Sequence, residues 1–272
     1  MTNTSPIQAV IFDWAGTIVD FGSFAPTTIF VEAFRQGFDF DISLEEARVP
    51  MGLGKWEHIQ QLGLLESVNE RWTAQFGQPM NNSDVDKIYA AFMPLQKAKV
   101  ADHAMPILNA VKVVEGLKEQ GIKIGSCSGY PREVMDILIP AAAEYGYKPD
   151  AVVATGDLPQ GGRPAPYMAL QNLIELEATD VKACVKVDDS SPGIFEGHNA
   201  GMWTVGLLLS GNEAGLTLEE FQNADEATLE QARQKAADKY SKSSPHYLID
   251  TINDLPNVIS DIERRIGQGE RP

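Results

Sequence analysis

Cysteine is scarce and positive charge is outnumbered. Only Cys127 and Cys184 occur in 272 residues, which excludes a disulfide-stapled scaffold. Both thiols fall in strand-like runs and read as small buried apolar residues. A cytoplasmic chain with reduced thiols is the simplest expectation. Lys and Arg number 22 against 38 Asp and Glu, a formal charge of −16. Such a surface repels phosphate backbones and anionic lipid, so neither nucleic acid nor a membrane is an expected partner. No apolar run approaches the ~20 residues a membrane-crossing helix needs. The opening MTNTSPIQAV lacks a basic start followed by a long apolar stretch, so no signal peptide is expected. Internal repeats and low-complexity tracts are missing too.

What is present is an ordinary globular composition, 43% apolar, in a chain long enough for one large domain or a core with an insert. Short continuous apolar runs recur at 9–12, 122–127, 151–154, 183–187, 203–209 and 246–249. Continuous rather than alternating runs suit parallel strands covered on both faces. Helical signals separate them. Pro106 can open a helix striped by Val111, Val114 and Leu117 and ended by Gly121. Others are predicted from Pro131 to Tyr145, around Tyr167, Leu170, Leu173 and Ile174, and from Pro192 to Ala200 before Gly201. This alternation predicts an α/β fold, a doubly wound parallel sheet of Rossmann-like type.

Residues 22–103 break the rhythm. They hold no convincing strand but several helix starts: Pro26 before Ile29, Phe30 and Phe34; Ser43 with Glu46 as a capping box; and Ser83. The expected organisation is a core of residues 1–21 and 104–272 with a helical cap, 22–103, inserted after the first strand. Such an insert lies over the carboxyl ends of the strands, where ligands bind. Residues 211–242 are polar and helix-prone and receive no chemistry.

Polar residues mark successive strand ends. Asp13 ends the first, Ser128 the second, Arg163 follows the third in QGGRPAP, and Asp188-Asp189 end the fourth in KVDDSSPGI. Each alone is a turn signal; four in order point to a site. A carboxylate nucleophile can approach an anionic phosphoryl group only with a cation between them. Asp188 and Asp189 offer hard oxygen ligands for Mg²⁺. Ser128 and the amide of Gly129 can donate to phosphoryl oxygens, and Arg163 presents a fixed fork to the same atoms.

DWAGT, CSGY, GGRPAP and VDDSSPG together resemble the four motifs of the haloacid dehalogenase superfamily, across the whole core. FDWAGTIVDFGSFAP and MGLGKWEH are similar to its phosphonatase family, which cleaves the carbon–phosphorus bond of phosphonoacetaldehyde. The resemblance implies Asp13 as nucleophile, the Ala15 carbonyl and Asp189 as Mg²⁺ ligands, Ser128 and Arg163 as phosphoryl binders, and Lys55 as a Schiff-base lysine from the cap. It also implies a small-molecule phosphonate substrate and a homodimer through the cap helices, where Phe30 and Phe34 are expected to offer apolar surface. The fourth motif departs from that family's pattern. An acid four residues beyond Asp189 is expected and Gly193 stands there, while Asp188 precedes it, as in phosphoglucomutase-type relatives. Asp188 is then either a metal ligand or a group behind the ligands.

Ala15 and Lys55 explain each other. Phosphatases of this superfamily carry a second Asp two residues after the nucleophile, to protonate a leaving alkoxide. A carbon leaving group needs an electron sink instead, and an imine on Lys55 supplies one. Lys55 begins a helix after a Gly-rich loop, where the dipole disfavours its charge. Closure of the cap would add desolvation. Met51 and Gly52 precede it and are placed to shape an aldehyde pocket. His58, three residues on, either relays protons or packs. Tyr130 either touches substrate or caps its motif. Trp14, Trp56 and Trp203 read as packing. The alternatives are a phosphomonoesterase or phosphomutase of the same superfamily, against which Ala15 argues, and a non-catalytic binding protein on a retained scaffold.

Overall fold

The computed structural model describes residues 5–272. Six strands form one parallel sheet: β1 (Ala9–Phe12), β2 (Lys123–Pro131), β3 (Ala151–Thr155), β4 (Cys184–Asp188), β5 (Trp203–Leu207) and β6 (Tyr247–Ile249), in the order β3-β2-β1-β4-β5-β6. All six fall where the apolar runs predict them. β1 lies at the centre, Ile11 facing Gly125 of β2 and Lys186 of β4. The order reverses on either side of β1. The carboxyl ends of β1, β2 and β4 therefore flank the crevice where ligands bind in such sheets.

Alternate residues of β1 serve opposite layers. Val10 and Phe12 join one apolar core; Ala9 and Ile11 join the other with Cys127, Val153, Met168 and Leu173. Between β1 and β2 come α1 (Phe24–Phe38), α2 (Leu44–Arg48), α3 (Lys55–Leu64), α4 (Glu66–Phe76) and α5 (Asn82–Lys99). The core helices are α6 (Ala110–Glu119), α7 (Arg132–Glu144), α8 (Tyr167–Glu175), α9 (Ser191–Ala200), α10 (Leu218–Asn223), α11 (Glu226–Tyr240) and α12 (Leu255–Gly267). Among the described residues no helix is long and apolar enough to cross a membrane.

Local signals decide most boundaries. Ser43 and Glu46 close the capping box of α2 as the sequence indicates. The box at α5 is made two residues before Ser83, by Asn81 with Asp84. α6 starts at Ala110 rather than Pro106, because Pro106 and Ile107 are held against Val19 and Ile18 in an antiparallel bridge. Tyr167 and Ile174 lie exposed on α8, whose buried face is Met168, Ala169, Asn172 and Leu173.

Phe30 and Phe34 are not surface residues. Both are fully buried. Phe30 stacks on His58 and Phe92, its centroid 3.8 and 4.5 Å from theirs, and Phe34 meets Trp72 edge-on. They cannot carry an interface between copies, since the helices of the insert already cover them. Where the chain leaves β1 and returns after α5, Asp20 accepts from Ala25 N at 2.8 Å and pairs with His103 Nδ1 at 2.9 Å. One carboxylate thus caps α1 and ties the two crossings together.

Candidate active site

The crevice between the sheet and the insert is lined by Asp13, Ala15, Met51, Gly52, Lys55, Ser128, Gly129, Tyr130, Arg163 and Asp189, with Ser23 and Pro26. Ten of the sequence-derived candidates thus converge. Asp188 lies behind the lining, and His58 behind Lys55.

Asp13 follows the last residue of β1. Its amide donates to the Val187 carbonyl at 3.0 Å, which fixes it beside the end of β4. Gly16 turns the chain with φ +82°; a Cβ there would stand 1.9 Å from Asp189 Oδ2. This turn requires glycine twice over, for its backbone conformation and for the carboxylate packed against it.

Arg163 is the hub. Its Nη2 lies 2.9 Å from Asp13 Oδ1 and 3.2 Å from Asp188 Oδ2, and its Nε 3.0 Å from Glu196 Oε2. Lys186, whose side chain is fully buried in β4, reaches Asp188 Oδ2 at 2.7 Å and Glu196 Oε2 at 3.5 Å. Asp188 Oδ1 accepts from the amide and hydroxyl of Ser190. Both Asp188 oxygens are therefore engaged by the protein. Removing one partner from such a buried network costs ~3–5 kcal/mol, because the other charge is stranded.

Charge counting tests the fit of a divalent cation. Asp13, Asp188 and Glu196 pair with Arg163 and Lys186, and Asp189 stands beside the first two acids without pairing to either cation, all buried, so four carboxylates share two paired cations. Oxygens of Asp13, Asp188 and Asp189 lie within 4.8 Å of one another. Burial, and then the charge of Asp188, push the Asp13 carboxyl up to about 6, against Arg163 and Lys186. Burial and both neighbouring acids hold Asp189 well above the carboxylate range. A hard divalent ion would relieve that repulsion, so the donor set suits Mg²⁺ chemically.

Ser128 and Gly129 lie near the carboxyl end of β2, where its pairing with β3 becomes irregular. Ser128 Oγ accepts from Tyr130 N at 3.0 Å, which leaves its proton free for a ligand. Gly129 is pressed against the insert: a Cβ there would lie 2.7 Å from the Leu53 carbonyl and 3.2 Å from that of Gly52. Gly52, with φ +93°, approaches Ser190 equally closely, and its carbonyl faces Arg163 Nη1 at 3.4 Å. The Gly-rich loop of the insert can seat on the core only because both surfaces lack side chains there. Gly129→Ala is expected to hold the loop off the core and lower kcat/KM by about 10–100-fold with little change in melting temperature. Steady-state kinetics beside a thermal melt checks this.

Lys55 opens α3 with Gly54 as N-cap. It is buried, its Nζ 4.7 Å above the Tyr130 ring and 5.6 Å from that of Phe30. Burial pushes its pKa down to about 7; Asp13 opposes this and Arg163 adds to it. The two rings flank the amine, and Tyr130 forms the wall under Lys55.

His58 is buried one turn along α3, stacked on Phe30. Its Nε2 lies 2.9 Å from the Ala47 carbonyl, which can only accept. Burial, then Lys55, hold the ring neutral, well below the usual histidine pKa. Nε2 therefore carries the proton, and Nδ1 is a bare acceptor without a partner. Packing and a proton-accepting atom coexist in one side chain. Trp14 and Trp203 are buried as packing residues, and the half-buried Trp56 also packs against the core while its Nε1 donates to Asp86 Oδ1. Burial raises both thiols, Cys127 and Cys184, which keeps them protonated.

Two residues of the hub, Lys186 and Glu196, escape a motif reading. A lysine inside the apolar run ACVKV is itself the signal, since a charge in a strand covered on both faces must be paired.

A parallel α/β core with an inserted helical lid and acids at the ends of β1 and β4 defines a class, and the family model for haloacid dehalogenase-like hydrolases matches residues 7–201. Within it, the chain is 78% identical over 270 residues to the phosphonoacetaldehyde hydrolase of Vibrio parahaemolyticus, covering 99% of this chain and 100% of that one. It is 72% identical over 268 residues to that of Vibrio cholerae, covering 98% and 99%. The crystal structure of a phosphonoacetaldehyde hydrolase-like protein from Oleispira antarctica superimposes with TM-score 0.94 at 41% identity, covering 100% and 98%. The chain belongs to the phosphonoacetaldehyde hydrolase family of the haloacid dehalogenase superfamily.

Proposed function

We propose that the chain hydrolyses phosphonoacetaldehyde to acetaldehyde and phosphate, with Lys55 and Asp13 as its two covalent groups. The observation that carries this reading is the pairing of a buried lysine, its pKa pushed down to about 7, with an alanine at 15 in one crevice. An alkoxide-releasing enzyme would need an acid at that alanine and would have no use for the amine.

The Lys55 amine adds to the aldehyde carbon, and the carbinolamine loses water to give an iminium ion. An Asp13 oxygen then attacks phosphorus. As that bond forms, the carbon–phosphorus bond breaks and its electron pair moves toward the iminium nitrogen, giving an enamine. The enamine carbon takes a proton, and water releases acetaldehyde from Lys55. A second water hydrolyses the aspartyl phosphate and returns Asp13. Ser128, the Gly129 amide and Arg163 bind the phosphoryl oxygens, where charge builds up in the transition state. His58 relays protons for the imine steps through Nδ1. Met51, Gly52 and the Tyr130 ring enclose the aldehyde end.

Asp13, Asp189 and the Ala15 carbonyl would hold Mg²⁺, with Asp188 behind them. When bound, it screens the Asp13 carboxylate from the anionic phosphonate. The resemblance also supports a homodimer, though Phe30 and Phe34 play no part in it.

Acetaldehyde and phosphate released one for one from phosphonoacetaldehyde, without comparable turnover of sugar phosphates, is the expected result. Rapid sugar-phosphate hydrolysis with no acetaldehyde would favour the phosphomonoesterase reading. The pH profile follows from the protonation states. Lys55 at about 7 and Asp13 at about 6 both act unprotonated. Log kcat/KM therefore climbs with pH and levels off above about 7. A profile that falls between about pH 6 and about pH 8 would contradict the amine's role.

A further inference from the structure

The crevice has an open volume of about 20 Å³, room for about one water. A phosphonate can enter only when the insert has swung away from the core. The contacts across the seam therefore form anew each time it closes, and one set of them leads to Asp189.

Arg48 ends α2 and is buried. Its Nη1 donates to the Gly22 carbonyl at 2.7 Å and to Asn212 Oδ1 at 3.2 Å. Asn212 Nδ2 returns a bond to the Arg48 carbonyl at 3.3 Å. The pair is thus joined in both directions, and Asn212 is itself buried. The backbone amide of Asn212 donates to Asp189 Oδ2 at 2.8 Å. This loop is fitted between the two residues. A Cβ on Gly211 would stand 2.3 Å from Asp189 Cβ, and one on Gly215 would stand 3.2 Å from Arg48 Nε.

We propose that Arg48 and Asn212 form a latch through which closure of the insert sets the orientation of the Asp189 carboxylate. Arg48 is a positioning residue: it touches no reacting atom. It seats the Asn212 side chain, which aims the amide at Asp189 Oδ2. In the open form Arg48 leaves with the insert, and the loop loses the contact that fixes it. Coupling of this kind is reciprocal, so a cation bound at Asp189 also favours the closed form.

The inference rests on the reading that Asp189 holds the metal, and the experiment separates the two. Mn²⁺ binding to the full chain is measured by electron paramagnetic resonance, beside thermal melts and borohydride trapping of the Lys55 imine. Variants are Asp189→Ala, Arg48→Met, Asn212→Ala and the Arg48→Met/Asn212→Ala double. Asp189→Ala is expected to abolish Mn²⁺ binding; unchanged binding there would refute the metal reading itself. Arg48→Met and Asn212→Ala should each weaken Mn²⁺ about tenfold, the double no more than the worse single, with imine trapping kept. Asn212→Ala alone decides the matter if Arg48→Met does not fold. With Asp189→Ala unable to bind, wild-type affinity in the folded latch variants would overturn the latch, as would additive losses in the double.

Discussion

Lys55→Ala is expected to lose at least ~10³-fold in kcat/KM for phosphonoacetaldehyde while folding normally. The reason lies in the leaving group. Without an imine, carbon must depart as a carbanion with no electron sink, and no other amine lines the crevice: the lysine Nζ that reaches it is that of Lys55 alone among its lining residues. Phosphate release assayed with and without the variant measures the loss. A companion effect separates this from general damage. The folded pKa of about 7 lies below the ordinary ~10.4. Between these values the unfolded chain binds a proton that the folded chain does not, so burying this lysine destabilises the protein there, and stability rises with pH through that window. Lys55→Met removes the penalty and should raise the melting temperature near pH 7, by about 2–4 °C for each kcal/mol relieved. The gain should fade toward pH ~10. Loss of activity together with a higher melting point is the signature of a strained functional residue; loss of both would mark Lys55 as structural.

Asp13→Asn is expected to abolish turnover, a fall of ~10⁴-fold or more, yet to leave the amine chemistry working. An amide is a poor nucleophile toward phosphorus and cannot share a divalent cation as a carboxylate does. Arg163 would still meet Asp188 and Glu196, so the hub should survive. Borohydride with phosphonoacetaldehyde should therefore still reduce an imine on Lys55 in Asp13→Asn, and the adduct should retain phosphorus because the bond was never cut. Residual phosphate release near the wild-type rate would show that another group attacks phosphorus.

Much of this site is legible in sequence because its parts are local and ordered. A strand end followed by a turn fixes Asp13, Ser128 and Asp189 without knowledge of the remaining contacts, and the parallel sheet brings those ends together. The pairing of Ala15 with Lys55 is legible through chemistry, as a missing acid answered by an amine. What escaped depends on contacts distant along the chain. Lys186 and Glu196 satisfy Arg163 and Asp188 from within the core, and no spacing rule links them. Arg48 and Asn212 meet across the seam, 164 positions apart. Phe30 and Phe34 read as an exposed face because α1 taken alone is amphipathic; α3, α4 and α5 bury that face inside the same chain. Gly52 and Gly129 suggested a pocket and an amide donor, whereas packing adds a second demand, that two backbones touch.

The account stands or falls on the covalent amine. Wild-type protein turning over phosphonoacetaldehyde, quenched with borohydride and digested, should carry an ethyl group on Lys55, left by reduction of the acetaldehyde imine before water releases it. Continued release of acetaldehyde and phosphate with Lys55 unmodified under the same quench would contradict it.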